Sequence, residues 1–304
     1  MHAGKIGGFR CIGAPVSDRL AVLPQYLLPK RAMTVAAGAL AALHGGALSH
    51  AVMRRFIARY GVDMTEAADP RVEAYASFNE FFTRPLKAGA RPLANARWLC
   101  PVDGAISQCG PIAGGQIFQA KGHRYSSRAL VGGDAQLAAQ FDDGVFATLY
   151  LSPKDYHRIH MPCAGTLTRM IHVPGALFSV NPLTARGVPG LFARNERVVC
   201  VFDSAHGPFV LALVGATIVG SMATVWHGVV NPPRPGTVRE WTYAANHVVL
   251  DRGAEMGRFL LGSTVVMLFP KNTLTFNPQW VPGGAIRMGQ AMGEPFSNGA
   301  ANRG

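Results

Sequence analysis

The chain has 304 residues, 49% of them hydrophobic and only 15% charged, with 29 Lys and Arg against 17 Asp and Glu for a net charge of +12. That length and apolar content exclude a disordered chain and fit one large domain or two small ones. The positive balance points to anionic partners; because the basic residues are scattered, without clustered runs or aromatic RNA-binding signatures, the reading favours an acidic lipid surface over nucleic acid.

Residues 1–20 read as a poorly ordered lead without the pattern of a signal peptide. Residues 21–97 read as a helical region followed by a linker. Between Arg31 and Arg54 there is no Asp, Glu, Lys or Arg. The stretch has the length of a membrane span, but it is mostly Ala and Gly and contains His44, Ser49 and His50, so a helical hairpin fits it better. Leu23, Tyr26, Leu27 and Leu28 precede Lys30 and Arg31, and Met53, Phe56, Ile57 and Tyr60 interleave with Arg54, Arg55 and Arg59. This mixture suits an interfacial helix, and equally an amphipathic helix packed on a core. Ser77-Phe78-Asn79-Glu80 has capping-box spacing and predicts a short helix through Phe82, ended by Pro85.

From Trp98 the texture changes. Apolar runs become short, β-branched and bounded by Gly or Pro: Val145–Leu151, Arg197–Phe202, Phe209–Val219, Val248–Leu250 and Thr264–Phe269. The expected fold class is α+β, with the N-terminal helical region followed by a β-rich barrel or sandwich over 98–292. A frayed tail is expected over 293–304. The five Cys residues, at 11, 100, 109, 163 and 200, are odd in number and form no C-x-x-C. That argues against a disulfide framework and for a reducing compartment.

The chain has no H-E-x-x-H, P-loop, G-x-S-x-G or EF-hand motif. His157-Arg158-Ile159-His160 is an H-x-x-H, but Pro153 and Pro162 bracket it and speak against the long helix that a metal pair would use, so no metal is expected. Two histidines after an apolar strand suit acid–base work in a cleft, or simply structural hydrogen bonds. Asp103 lies between an X-Pro step and Gly104, a common turn context. Ser263 follows the flexible Gly262 at the entrance to the last long apolar run, where a turn or bulge is the ordinary expectation. Asp103, His160 and Ser263 nevertheless offer the orienter, base and nucleophile of a triad. A serine hydrolase and a non-catalytic membrane-binding module both remain compatible with these residues.

Several ordered blocks carry a more specific signal. They include Phe78–Lys87, Asp103-Gly104 with Ile106-Ser107-Gln108, Ala120–His123, Tyr156–Pro162, Leu177–Asn181, Phe192–Arg197, Val214–Thr217, and Gly253–Gly257 running into Leu261-Gly262-Ser263-Thr264. Over about residues 20–293 the chain resembles the bacterial phosphatidylserine decarboxylases. The resemblance implies self-cleavage between Gly262 and Ser263, giving a β chain of 1–262 and an α chain of 263–304 that stay together non-covalently. It implies that Asp103, His160 and Ser263 carry out the cleavage and that His157 acts as the acid in decarboxylation. The cofactor would be pyruvate, as a covalent pyruvoyl group made from Ser263, which forms a Schiff base with the amine of phosphatidylserine. It further implies a homodimer of that two-chain unit, docked by its helical region on the cytoplasmic side of the cell membrane.

Overall fold

The computed structural model describes residues 18–218, 221–234, 236–245, 247–261 and 264–295. In the strand Thr264–Phe269, Val265, Met267 and Phe269 face one core, while Val266 and Leu268 face another. A run buried on both faces belongs in the middle of a layered structure. It lies between Phe209–Val214 and Val145–Tyr150 in a nine-stranded sheet. Outward on one side follow Arg197–Asp203, Gly165–Val173 and Arg239–Thr242, with Val249–Leu250 also pairing with Gly165–Val173. On the other side follow Gly104–Pro111 and Ala285–Ile286. Every pairing in this sheet is antiparallel.

One face of the large sheet packs on two smaller sheets. The first orders Gly228–Asn231, Met222–Thr224, Glu255–Phe259 and Arg158–His160; the second orders Trp98–Leu99, Ala291–Pro295 and Leu274–Phe276. The opposite face is covered by the ribbon Gln116–Ala120/His123–Ser126 and by short helices. The architecture is α+β with stacked antiparallel sheets, and no sheet among the described residues closes into a barrel.

The N-terminal helices are α1 (Asp18–Leu27), α2 (Lys30–Ala42), α3 (Gly46–Tyr60) and α4 (Phe78–Phe82). Helix α1 lies on the short helix Pro182–Gly187, where Gly187 leaves room for the Asp18 carbonyl and Val22. Helices α2 and α3 meet at a bend of 116°. Neither is long and apolar enough to cross a membrane alone, although the bent pair meets that test by length and composition. Gly61 ends α3 at φ +67°, a left-handed cap that favours glycine. Met53, Val62, Val72, Tyr75 and Phe81 form a separate small core beneath α3. The outward faces carry exposed Leu23, Leu27, Leu40, Leu43 and Leu48, with Leu27 88% accessible.

Several expectations change in detail. The segment 61–77 holds only a one-turn 3₁₀ helix, Val72–Ala74, instead of continuous helix. The strand expected over Phe209–Val219 stops at Val214. There Gly215 N–H turns to the Glu196 carbonyl, and Ile218 N–H reaches the Thr34 hydroxyl of α2. Gly293 sits inside a strand, opposite Trp98 and Phe276, while 296–304 lie outside the described residues. So do 1–17, although the expected lead overlaps the start of α1.

Candidate active site

The sequence Ser152–Asp155 builds a turn that aims a carbonyl at His157. The Asp155 carboxylate accepts from both the backbone N–H and the hydroxyl of Ser152, each at 2.7 Å. This leaves the Asp155 carbonyl 2.7 Å from His157 Nδ1. A carbonyl can only accept, so Nδ1 carries the proton and Nε2 keeps its lone pair. The ring is 1% accessible and packs on Phe82 with centroids 4.0 Å apart. Burial pushes its pKa down to about 3, with Arg84 adding to the effect and the Asp155 carbonyl opposing it. His157 is therefore a neutral imidazole at physiological pH.

His160 lies on the strand paired with Glu255–Phe259, opposite Glu255. Its Nδ1 donates to the Gly253 carbonyl at 2.8 Å, and the Tyr156 hydroxyl meets Nε2 at 2.9 Å. The same reasoning makes Tyr156 the donor to Nε2. Burial lowers the His160 pKa, partly offset by the Gly253 carbonyl and by Glu255 and Asp103, while Arg158 reinforces the lowering. Burial raises the Tyr156 phenol, which keeps its proton.

Asp103 is brought near His160, whose backbone N–H bonds the Pro101 carbonyl at 2.9 Å. Its carboxylate is nevertheless committed elsewhere. Arg91 Nε donates to both oxygens at 3.0 and 3.1 Å, Arg91 Nη2 adds a bond of 2.5 Å, and Met288 N–H donates at 2.8 Å. Arg91 also bonds Glu66, which bonds Arg287. The Asp103–His160 hydrogen bond of a simple triad is not made in this state. Gly104 explains the tight turn beside Asp103: its φ is +153°, and a Cβ there would collide with the Tyr150 carbonyl.

Gly262 and Ser263 lie outside the described residues, but their neighbours are placed. Phe259 N–H donates to the His157 carbonyl at 3.1 Å, and Leu260 N–H to the Ser221 carbonyl at 3.0 Å. Thr264 opens its strand between Tyr150 and Val214 with a buried hydroxyl that has no partner among the described residues. An apolar cavity of about 610 Å³ lies between α2, α3 and the core. Leu40, Leu48, Val52, Phe56 and Phe82 line it, and His157, Tyr150 and Leu261 form part of its wall. His157 and Leu261 thus share one chamber, whereas His160 does not face it.

Arg91, Tyr156 and Gly253 were not read as site residues from the sequence. Only Tyr156 carried a signal, its place four residues before His160. The two histidines of H-x-x-H do not converge: each spends its Nδ1 on a different carbonyl. No cluster of three or more His, Cys, Asp or Glu that could hold a metal ion occurs among the described residues.

Comparison with known proteins identifies the family. A family model described as phosphatidylserine decarboxylase matches residues 78–294, and one described as PSD matches 20–61. The phosphatidylserine decarboxylase proenzyme of Azoarcus sp. (strain BH72) is 73% identical over 282 residues, covering 93% of this chain and 98% of the relative. That of Dechloromonas aromatica (strain RCB) is 72% identical over 278 residues, covering 91% and 99%. That of Albidiferax ferrireducens is 74% identical over 275 residues, covering 90% and 97%. These matches place the chain among the decarboxylases, carboxy-lyases that work on an amino-acid carboxylate. It belongs to the phosphatidylserine decarboxylase family.

Proposed function

We propose that the chain cuts itself between Gly262 and Ser263 and then converts phosphatidylserine to phosphatidylethanolamine at the apolar chamber. The observation that carries this reading is the chamber itself. It joins the exposed N-terminal helices to a neutral buried histidine and ends at Leu261, the residue before Gly262. A lipid with acyl chains on α2 and α3 would bring its head group toward that end. The outward leucines and the net charge of +12 support peripheral attachment to an anionic membrane, on its cytoplasmic side.

A pyruvoyl group made from Ser263 would supply the electron sink that ordinary side chains lack. The site's residues fit such a group: the cavity is apolar, and the adjoining Thr264 hydroxyl is buried without a partner among the described residues. The resting tautomer refines the part played by His157. With Nε2 unprotonated at rest, it would take up a proton only once the occupied site stabilises the imidazolium, and would give it as the acid to the α-carbon after CO₂ has left. For self-cleavage, His160 Nε2 is the basic nitrogen, and Tyr156 must yield its place to the serine hydroxyl. Asp103 would act as a fixed negative charge beside that ring, held by Arg91.

Intact mass under denaturing conditions tests the reading. Active protein should give two chains, 1–262 and 263–304, the smaller one blocked at its N-terminus and reduced by borohydride. It should also release CO₂ from phosphatidylserine vesicles. A single unmodified chain from active protein would overturn the mechanism. Labelling of Ser263 by a fluorophosphonate would favour the serine-hydrolase reading instead.

A further inference from the structure

The block Phe192–Arg197 contains four polar side chains, and three are spent inside the protein. Asn195 binds the Phe178 backbone and the Gly215 carbonyl, Glu196 binds His172 and Arg234, and Arg197 binds carbonyls of Leu130, Ala193 and Asn195. Arg194 is the exception. Its side chain is exposed and forms no hydrogen bond or ion pair among the described residues. Its guanidinium stands 5.0 Å from the centroid of Phe178 and 5.9 Å from that of Tyr26.

A second cation shares this place. Lys30 Nζ lies 4.5 Å from the centroid of the same Phe178 ring. Among the described residues its one hydrogen-bond partner is the Gln25 carbonyl, and an ammonium has two further protons to donate. Burial lowers the Lys30 ammonium, and the neighbouring Arg194 charge lowers it further. One aromatic ring thus holds two positive groups within about a Debye length, ~10 Å, of each other. Neither has a carboxylate partner among the described residues, and cation–π attraction only partly offsets their repulsion. Asp18, the nearby acid of α1, is already paired with Lys121 and Arg186. Tyr26, Leu27 and Leu28, exposed beside this pair, extend the apolar outer face of the helices.

We propose that Lys30 and Arg194, mounted on Phe178 at the junction of α1, α2 and the helix Leu191–Arg194, form a phosphate site that grips the phosphodiester of a bilayer lipid. This inference rests on the membrane-docking reading above and adds a discrete contact to it. A planar guanidinium and an ammonium together suit one phosphate with two free oxygens. The flanking leucines place that phosphate at the depth of a head group. Bound lipid would clamp α1 and α2 to the core beside the mouth of the chamber.

The test is a double-mutant cycle on binding of the full chain to phosphatidylcholine vesicles with and without phosphatidylglycerol. The variants are Lys30→Gln, Arg194→Gln and the pair. Arg31→Gln with Arg55→Gln is the control pair, removing equal charge from exposed positions. Loss of one diffuse surface charge costs about fivefold in affinity, and two such losses multiply. A shared phosphate predicts something different. Each site variant should lose about tenfold on anionic vesicles, and the double little more, because either loss breaks the bridge. If Arg194→Gln melts early, Arg194→Met replaces it, since Met keeps the packing on Phe178.

Multiplicative losses in both pairs would overturn the site and leave only diffuse attraction. Saturable binding of inorganic phosphate without vesicles, lost in Arg194→Gln, would assign the pair to free phosphate and overturn the lipid assignment. No vesicle binding by the unaltered chain would instead remove the docking reading itself. Self-cleavage and decarboxylation, scored on the same preparations, report separately on the proposed chemistry.

Discussion

The role proposed for His157 depends on its resting protonation state. An imidazole buried against Phe82 pays for any positive charge in lost hydration, so its folded pKa falls to about 3 from an ordinary value near 6.5. The unfolded chain then binds the proton that the folded chain refuses. Stability is full above the ordinary value and declines as pH falls from about 6.5 toward 3, by up to about 1.4 kcal/mol per pH unit for this group. His160, also lowered by burial, contributes with the same sign. Chemical denaturation across pH 7 to 4 should show the wild type losing stability more steeply than His157→Gln. The same variant should still cut itself while losing most of its decarboxylation. Parallel pH curves, or equal loss of both activities, would contradict a neutral proton carrier at this position. Asp103 is a buried carboxylate whose hydrogen bonds come from a guanidinium and a backbone N–H. Neither arrangement follows from local spacing, because Arg91 and Met288 reach Asp103 from 12 and 185 residues away.

At the scale of elements, α4 connects local chemistry to the site. Ser77 Oγ accepts from Glu80 N–H at 3.2 Å, and Glu80 reaches back to the Ala76 N–H at 2.9 Å. This cap sets the one and a half turns that place Phe82 under His157. Ser77→Ala should cost about 1 kcal/mol in urea unfolding, within the usual range for a lost N-cap. An unchanged midpoint would mean that packing alone holds α4. The cap was legible in the sequence because its partners are neighbours in the chain. The central strands were legible for a similar reason: in Thr264–Phe269 every position from Val265 on is apolar, a pattern that suits a strand between two cores. The open stacking of sheets, where a closed barrel was one expectation, depends on which edges meet, and residue periodicity does not encode that. The end of the 209–214 strand was hidden too, since Glu196 and Thr34 terminate it from elsewhere in the chain. The blocks that hold His157 and Leu261 meet at one chamber, while Tyr156 and Gly253 became partners of His160 only in three dimensions.

For the whole molecule, the proposed cut falls where the fold can survive it. Residues after Ser263 enter the centre of the nine-stranded sheet and bond to strands on both sides. Val265, Val266, Met267, Leu268 and Phe269 are all fully buried. Burial of each such side chain is worth about 1.5–3 kcal/mol. Further along, Ala285–Ile286 pairs with Gly104-Ala105, and Ala291–Pro295 pairs with Trp98-Leu99. Met288 also supplies the backbone N–H that holds Asp103, so the segment after the proposed cut completes the polar cluster of the segment before it. The cleaved protein should therefore run as one species on native size exclusion even at high salt, which screens surface charge but leaves apolar burial and the sheet ladder intact. The 263–304 chain should come free only at the denaturant concentration that unfolds the central sheet, in a single transition followed by both tryptophan fluorescence and fragment release. Release of that chain in native buffer, or at a lower denaturant concentration than the loss of sheet, would show that covalent continuity at Gly262–Ser263 helps to hold the core together.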